Sequence, residues 1–135
     1  MIYEGTITYS SLTDKGDEKN FKESYILEDQ DLFTQVESKL YEEFKGYKDF
    51  DVVAIKRSNI KEIANQRTNN DDVIWQAEIQ DIFHDDEGNE KLLKYKILFF
   101  SKTYESANTF ITEFAKQGYQ MSLVSLKLTK FIDVI

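Results

Sequence analysis

Arg57 is the residue whose type and place most invite chemistry. Lysine outnumbers arginine 15 to 2 in this chain, so an arginine here is not a product of compositional drift. It sits in Lys56-Arg57-Ser58-Asn59-Ile60-Lys61, three basic residues and no acid in six, which is expected to form the least acidic patch of a chain with 25 acidic and 17 basic residues and a net charge of -8. A guanidinium is a rigid five-donor fork that grips carboxylates and phosphates through two parallel bonds. Arg57, Lys56, Asn59 and Lys61 are therefore the candidate ligand- or partner-binding residues, with Tyr47, Tyr119 and Trp75 as flat stacking contacts. The plainer reading is a strand-end arginine that snorkels outward or pairs with a nearby carboxylate.

Other constellations are weaker. Asp85-Asp86-Glu87-Gly88-Asn89-Glu90 is dense in acid, but it does not follow the alternating order of an EF-hand loop and reads as a solvated hairpin turn. His84, the only histidine, stands beside that turn with no serine or aspartate at triad spacing, and so reads as a rim residue. There is no cysteine to serve as nucleophile, disulfide or thiolate ligand, and one histidine cannot build an HExxH site. Five glycines, at 5, 16, 46, 88 and 118, make no GxGxxG or P-loop. The expectation is a non-enzymatic protein with no cofactor, no metal and no catalytic residues.

Charge narrows the partners. Lys94-Tyr95-Lys96-Ile97-Leu98-Phe99-Phe100 interleaves aromatic and basic residues like a base-stacking strand, but a net charge of -8 repels phosphates. Direct nucleic-acid binding is not expected, and those aromatics read as core. The acidic excess, 16 against 10 basic residues in 1–72 and 9 against 7 in 73–135, also raises mimicry of nucleic acid. That reading is secondary, because the acids form no dense stripe. The longest unbroken apolar run, Ile97-Leu98-Phe99-Phe100, is far short of a membrane span, and the N-terminus has no signal-peptide layout. A cytoplasmic protein without membrane contact is expected.

The elements that position these residues come in two copies. Sliding the chain by 72 positions lays 1–63 on 73–135, with identities that include Ile7/Ile79, Asp14/Asp86, Gly16/Gly88, Lys22/Lys94, Gly46/Gly118 and Tyr47/Tyr119. The register slips near the helix: Tyr25 matches Tyr95 better, and Val53-Ala54-Ile55-Lys56 matches Val124-Ser125-Leu126-Lys127. On that slip Arg57 takes the place of Leu128, read as a core-face leucine.

Each copy reads as strand, turn, strand, helix, strand. Alternation predicts strands over 2–9 and 74–82, with Tyr3, Gly5, Ile7 and Tyr9 sharing a face, as do Trp75, Ala77, Ile79 and Asp81. The turns Asp14-Lys15-Gly16-Asp17 and Asp86-Glu87-Gly88-Asn89 lead into strands at 22–29 and 94–100, the latter more apolar and so placed more centrally. Helical spacing unites Phe33, Val36, Leu40 and Phe44, and then Tyr104, Ala107, Ile111 and Phe114. Asp31 and Thr103 are the candidate N-caps, Gly46 and Gly118 the C-terminal glycines, and third strands fall at 51–58 and 122–129. The fold class is α+β, an internal duplication of a β-β-α-β unit with antiparallel strands and two helices on the apolar face. Repeat one is 1–63, a polar linker is 64–72, and repeat two is 73–135, together forming one pseudo-symmetric domain because a 63-residue copy buries too little alone. One sheet, two sheets and a partly closed barrel all remain compatible.

Glu23-Ser24-Tyr25-Ile26-Leu27 with Phe33-Thr34, the stretch Ile55 to Ile63, and Trp75-Gln76-Ala77 resemble the family known as domain of unknown function 4494, found in gut anaerobes and their phages. Thr34-Gln35-Val36-Glu37 departs from the family's acidic-alanine helix start. The resemblance implies no catalytic residues and a phage or mobile-element setting, which the AT-rich residue usage suits. The leading expectation is a binding or accessory protein that engages a protein partner or associates with itself. A small nucleotide-like ligand held in a cleft between the copies is the alternative.

Overall fold

Period-two alternation in both halves produces long strands, and the computed structural model, which describes residues 1–118 and 120–135, extends them beyond the apolar runs. The order is β1 Tyr3–Leu12, β2 Glu18–Leu27, α1 Phe33–Glu43, β3 Lys48–Arg57, β4 Ile60–Ile63, β5 Val73–His84, β6 Glu90–Ser101, α2 Tyr104–Ala115, β7 Met121–Leu128 and β8 Phe131–Val134. The duplicated β-β-α-β unit is present, and each copy carries one further short strand, β4 or β8. The strands form two four-stranded sheets, ordered β3-β1-β2-β8 and β4-β6-β5-β7. β2 and β6 are thus equally interior, whatever their difference in apolarity.

The short strands are exchanged between the copies. Unit 1 comprises 1–58 and 130–135, and unit 2 comprises 59–129. β8, from the end of repeat two, runs parallel to β2 with Ser24 opposite Phe131 and Ile26 opposite Val134. β4, from the end of repeat one, runs parallel to β6 with Ile60 opposite Lys96 and Ile63 opposite Leu98. The other pairings are antiparallel. Equivalent bonds frame both exchanges: Ser58 N–H donates to the Ile2 carbonyl as Thr129 N–H does to that of Ile74. Ile135 N–H and Ala64 N–H donate to Ile26 and Leu98.

Strand register corrects the repeat alignment. Gly5 pairs with Tyr25 and Ala77 with Ile97, so Tyr25 is equivalent to Ile97 and not to Tyr95. The slip falls after β2, in the helix approach. Beyond it Ile55 matches Leu126 and Arg57 matches Leu128, as the sequence indicates, and a β-bulge interrupts both copies at the same place, between Thr6 and Ile7 and between Glu78 and Ile79.

In each unit the helix covers one face of the sheet. Val36 and Leu40 of α1 pack with Tyr3, Ile7, Tyr25, Leu27 and Phe44, while Ala107 and Ile111 of α2 pack with Trp75, Ala77, Ile79, Ile97 and Phe99. Thr103 caps α2 by accepting the Ser106 N–H at 3.1 Å. Asp31 does not cap α1. Leu32 occupies that position, and the Gln35 side chain reaches back to the Asp31 and Leu32 amides at 2.9 and 3.2 Å. Gly46 takes the left-handed conformation at φ 92°, but Gly118 does not. It leaves space for Met121 instead, whose Cβ an added methyl would approach to 2.7 Å.

Candidate functional site

The two hairpin tips turn on equivalent residues. Both turns hold a glycine at positive φ, Gly16 at 83° and Gly88 at 79°. Asp85 closes the second by accepting the Glu87 and Asn89 amides at 3.0 and 2.8 Å, the hairpin reading of this acidic run. In unit 1, β3 continues alongside β1 as far as Ser10, and Lys48 reaches Glu18 of β2 at 2.9 Å, an ion pair that raises the Lys48 pKa. Short of the exposed Leu12 at the very end of β1, the non-helix face there is polar, with Ser10 donating to Asn20 at 2.7 Å, while on the other face Phe21 stacks on Tyr9 at 5.3 Å.

In unit 2 the third strand stops earlier. β7 pairs with β5 only from Trp75 to Asp81, while β5 and β6 continue pairing to His84 and Glu90. Beyond Ile82, whose N–H donates to the Gln120 carbonyl at 3.4 Å, only two strands pair among the described residues. Where unit 1 has Ser10, Ser11 and Asn20, this hairpin has Ile82, Phe83 and Leu92, with Leu93 in place of the stacked Phe21. Phe83, Leu92 and Leu93 are 46%, 57% and 44% exposed. Alternation puts Phe83 and Leu93 on the helix-side face and the cross-strand pair Ile82 and Leu92 on the other, so both faces are apolar. Asp81 and the turn acids Asp85, Asp86, Glu87 and Glu90 flank them along the chain, as do Lys91, opposite Phe83 and 3.9 Å from Asp85, and Lys94, with His84 exposed on the β5 side. A strand tip has no packing reason to carry four large apolar side chains, and such a surface is suited to contact with another macromolecule.

The residues singled out by sequence are distributed over both units. Arg57 ends β3 opposite Tyr3, is exposed, and makes no ion pair among the described residues. Its counterpart Leu128 is 57% exposed, so the arginine replaces a rim leucine and not a core one. Lys56 lies 3.7 Å from Glu4, which is its local partner. Tyr47 packs edge-on against Tyr9 and Phe44 at 5.0 and 5.2 Å. Asn59 is exposed at the start of unit 2, and the Lys61 ammonium sits 4.0 Å above the Tyr95 ring. Trp75 is a packing residue: it is 7% exposed, its indole N–H donates to the Ser101 carbonyl at 3.0 Å, and its ring meets Tyr104 edge-on. Tyr119 lies outside the described residues.

Two polar groupings are structural. Glu23 accepts the Tyr25 hydroxyl at 3.0 Å, and burial followed by this carboxylate raises the pKa of both Tyr25 and Tyr9. Those phenols are donors at neutral pH and not bases. In the 64–72 segment Asp72 accepts the Thr68 and Asn69 amides, both at 3.0 Å, which lowers its pKa, and Arg67 lies 4.9 Å from the Phe100 ring. Asn65 is bonded to Phe100 through both its amide atoms, so the polar stretch is tied to β6. Among the described residues no helix is long and apolar enough to cross a membrane.

The apolar tip could have been found in the sequence. In the ungapped alignment Ser10-Ser11 faces Ile82-Phe83 and Asn20 faces Leu92, but attention to matched residues passes over mismatches. A family model described as domain of unknown function (DUF4494) matches residues 1–135. No curated protein and no solved structure matches the chain.

Proposed function

Since the chain belongs to this family of unknown function over its whole length, we propose that it is a non-enzymatic binding or accessory protein that engages a protein partner through the β5–β6 hairpin tip. The observation that carries this reading is the exposed set Phe83, Leu92 and Leu93, where unit 1 has Ser11, Asn20 and the stacked Phe21 and exposes the single leucine Leu12. The scaffold closes its hairpin without those side chains in one copy, so their presence in the other calls for a contact outside the scaffold. The acids clustered at the turn, Asp85, Asp86, Glu87 and Glu90, match a partner surface with apolar side chains at its centre and basic ones toward one edge. In the phage or mobile-element setting implied by the resemblance, that partner is a host protein.

The test imports unit 1's residues. The double substitution Phe83→Ser with Leu92→Asn is at exposed positions and should change folding stability by under about 1 kcal/mol. Affinity capture and light scattering, run on both proteins, should show a partner retained by the native chain and lost by the variant. A native chain that is monomeric and retains the same proteins as the variant overturns the reading.

A further inference from the structure

We propose that unit 1 holds a second site, a cavity of about 380 Å³ on the sheet face opposite α1, that takes a small organic anion with an apolar body. Thr6, Ser24 and Ala54 form its floor from three neighbouring strands, with the Thr6 and Ser24 hydroxyls 3.1 Å apart. Val53 and Ile132 supply apolar walls, and Lys22 and Lys130 bring two ammonium groups. Neither lysine has an ion-pair partner among the described residues, in a chain where acids outnumber bases 25 to 17. Glu23 also lines the cavity, its carboxylate accepting the Tyr25 hydroxyl, and Glu4, one step along β1, lies by Lys56, so the two lysines face one lining carboxylate. The volume is at the lower end of small-molecule sites, enough for a carboxylate or phosphate carrying a ring or short chain.

The scaffold does not require this arrangement. At the equivalent places unit 2 has Glu78 for Thr6, Lys96 for Ser24, Asn59 for Lys130 and Lys61 for Ile132. Glu78 and Lys96 stand directly opposite one another across β5 and β6, and Lys61 covers Tyr95. There the same sheet face is floored by opposite charges, whereas in unit 1 it is floored by hydroxyls beneath two lysines with no ion pair among the described residues. Hydroxyl donors and ammonium groups converging on one apolar-walled space are what an anionic headgroup needs.

Isotope-labelled protein at low ionic strength, titrated separately with phenyl phosphate, benzoate and inorganic phosphate, tests this. The expected result is saturable shifts of the Thr6, Ser24 and Ala54 amides with phenyl phosphate or benzoate, and weaker binding of inorganic phosphate, which cannot use Val53 and Ile132. Whichever ring-bearing probe binds tighter assigns the headgroup. Lys22→Gln and Lys130→Gln should each weaken binding about tenfold or more, while Lys94→Gln, at the matching place in unit 2, should leave it unchanged. No shifts at millimolar ligand, or equal weakening by Lys94→Gln, overturns the proposal.

Discussion

Beneath α1, Gly5 lies so close to Leu40 that an added Cβ would come within 2.8 Å of the Leu40 Cδ1. Beneath α2 the equivalent strand position is Ala77, and the equivalent helix residue is Ile111. The same exchange of volume recurs around them. Tyr3 meets Phe33 in unit 1, Trp75 meets Tyr104 in unit 2, and both pairs are edge-on. Unit 1 closes its core with the aromatic group Tyr9, Tyr25, Phe44, Tyr47 and Phe50, while unit 2 uses Ile79, Ile97, Phe99 and Phe110. The bulge, the register and the strand exchange are the same in both. A backbone of this kind tolerates extensive side-chain replacement provided that neighbouring volumes change together. Outside the cores no such compensation is needed, and that is where the copies have diverged: an apolar hairpin tip in unit 2, a hydroxyl-floored cavity in unit 1.

Three measurements sharpen or break this comparison. The largest effects belong to the helix anchors: Leu40→Ala and Ile111→Ala should each cost about 2–5 kcal/mol in denaturant unfolding, since both are fully buried. A much smaller loss at one site would mean that the helices are not anchored alike. Next, Gly5→Ala should cost about 1–3 kcal/mol through overpacking against Leu40. Adding Leu40→Ile, which imports unit 2's pair, should recover much of that loss. An additive double mutant would show that the two positions do not exchange volume. The smallest effect is expected for Arg57→Leu, which imports the residue at Leu128 and should alter stability by no more than about 0.5 kcal/mol. A larger loss would give Arg57 a structural role that its exposure argues against.

Much of this was legible in the residues. The turns around Gly16 and Gly88 and the cap at Thr103 follow from local backbone chemistry, which sequence reports directly. The face shared by Tyr3, Gly5 and Ile7 follows from period-two alternation, and the duplication made each reading twice supported. Local chemistry also misled where a tertiary partner decided the outcome. Asp31 has the right side chain for a cap, but Gln35 supplies the bond, and the Asp31 carbonyl accepts the Tyr3 hydroxyl at 3.2 Å. Gly118 looks like a helix-ending glycine and is small because Met121 lies against it. Neither the cavity nor the convergence of Lys22 and Lys130 on it has a sequence signature, because both depend on which strands lie side by side.

By itself the sequence determined that two copies of one β-β-α-β unit are present, with helices and hairpins in their places, since capping, turn residues and hydrophobic period act within a few positions of chain. Only the tertiary structure decided that β4 and β8 change places. Ile60–Ile63 and Phe131–Val134 are four-residue strands whose own patterns fit either sheet. Their partners, β6 and β2, are set by hydrogen bonds to residues roughly 35 and 107 positions away along the chain, a choice that no local pattern records.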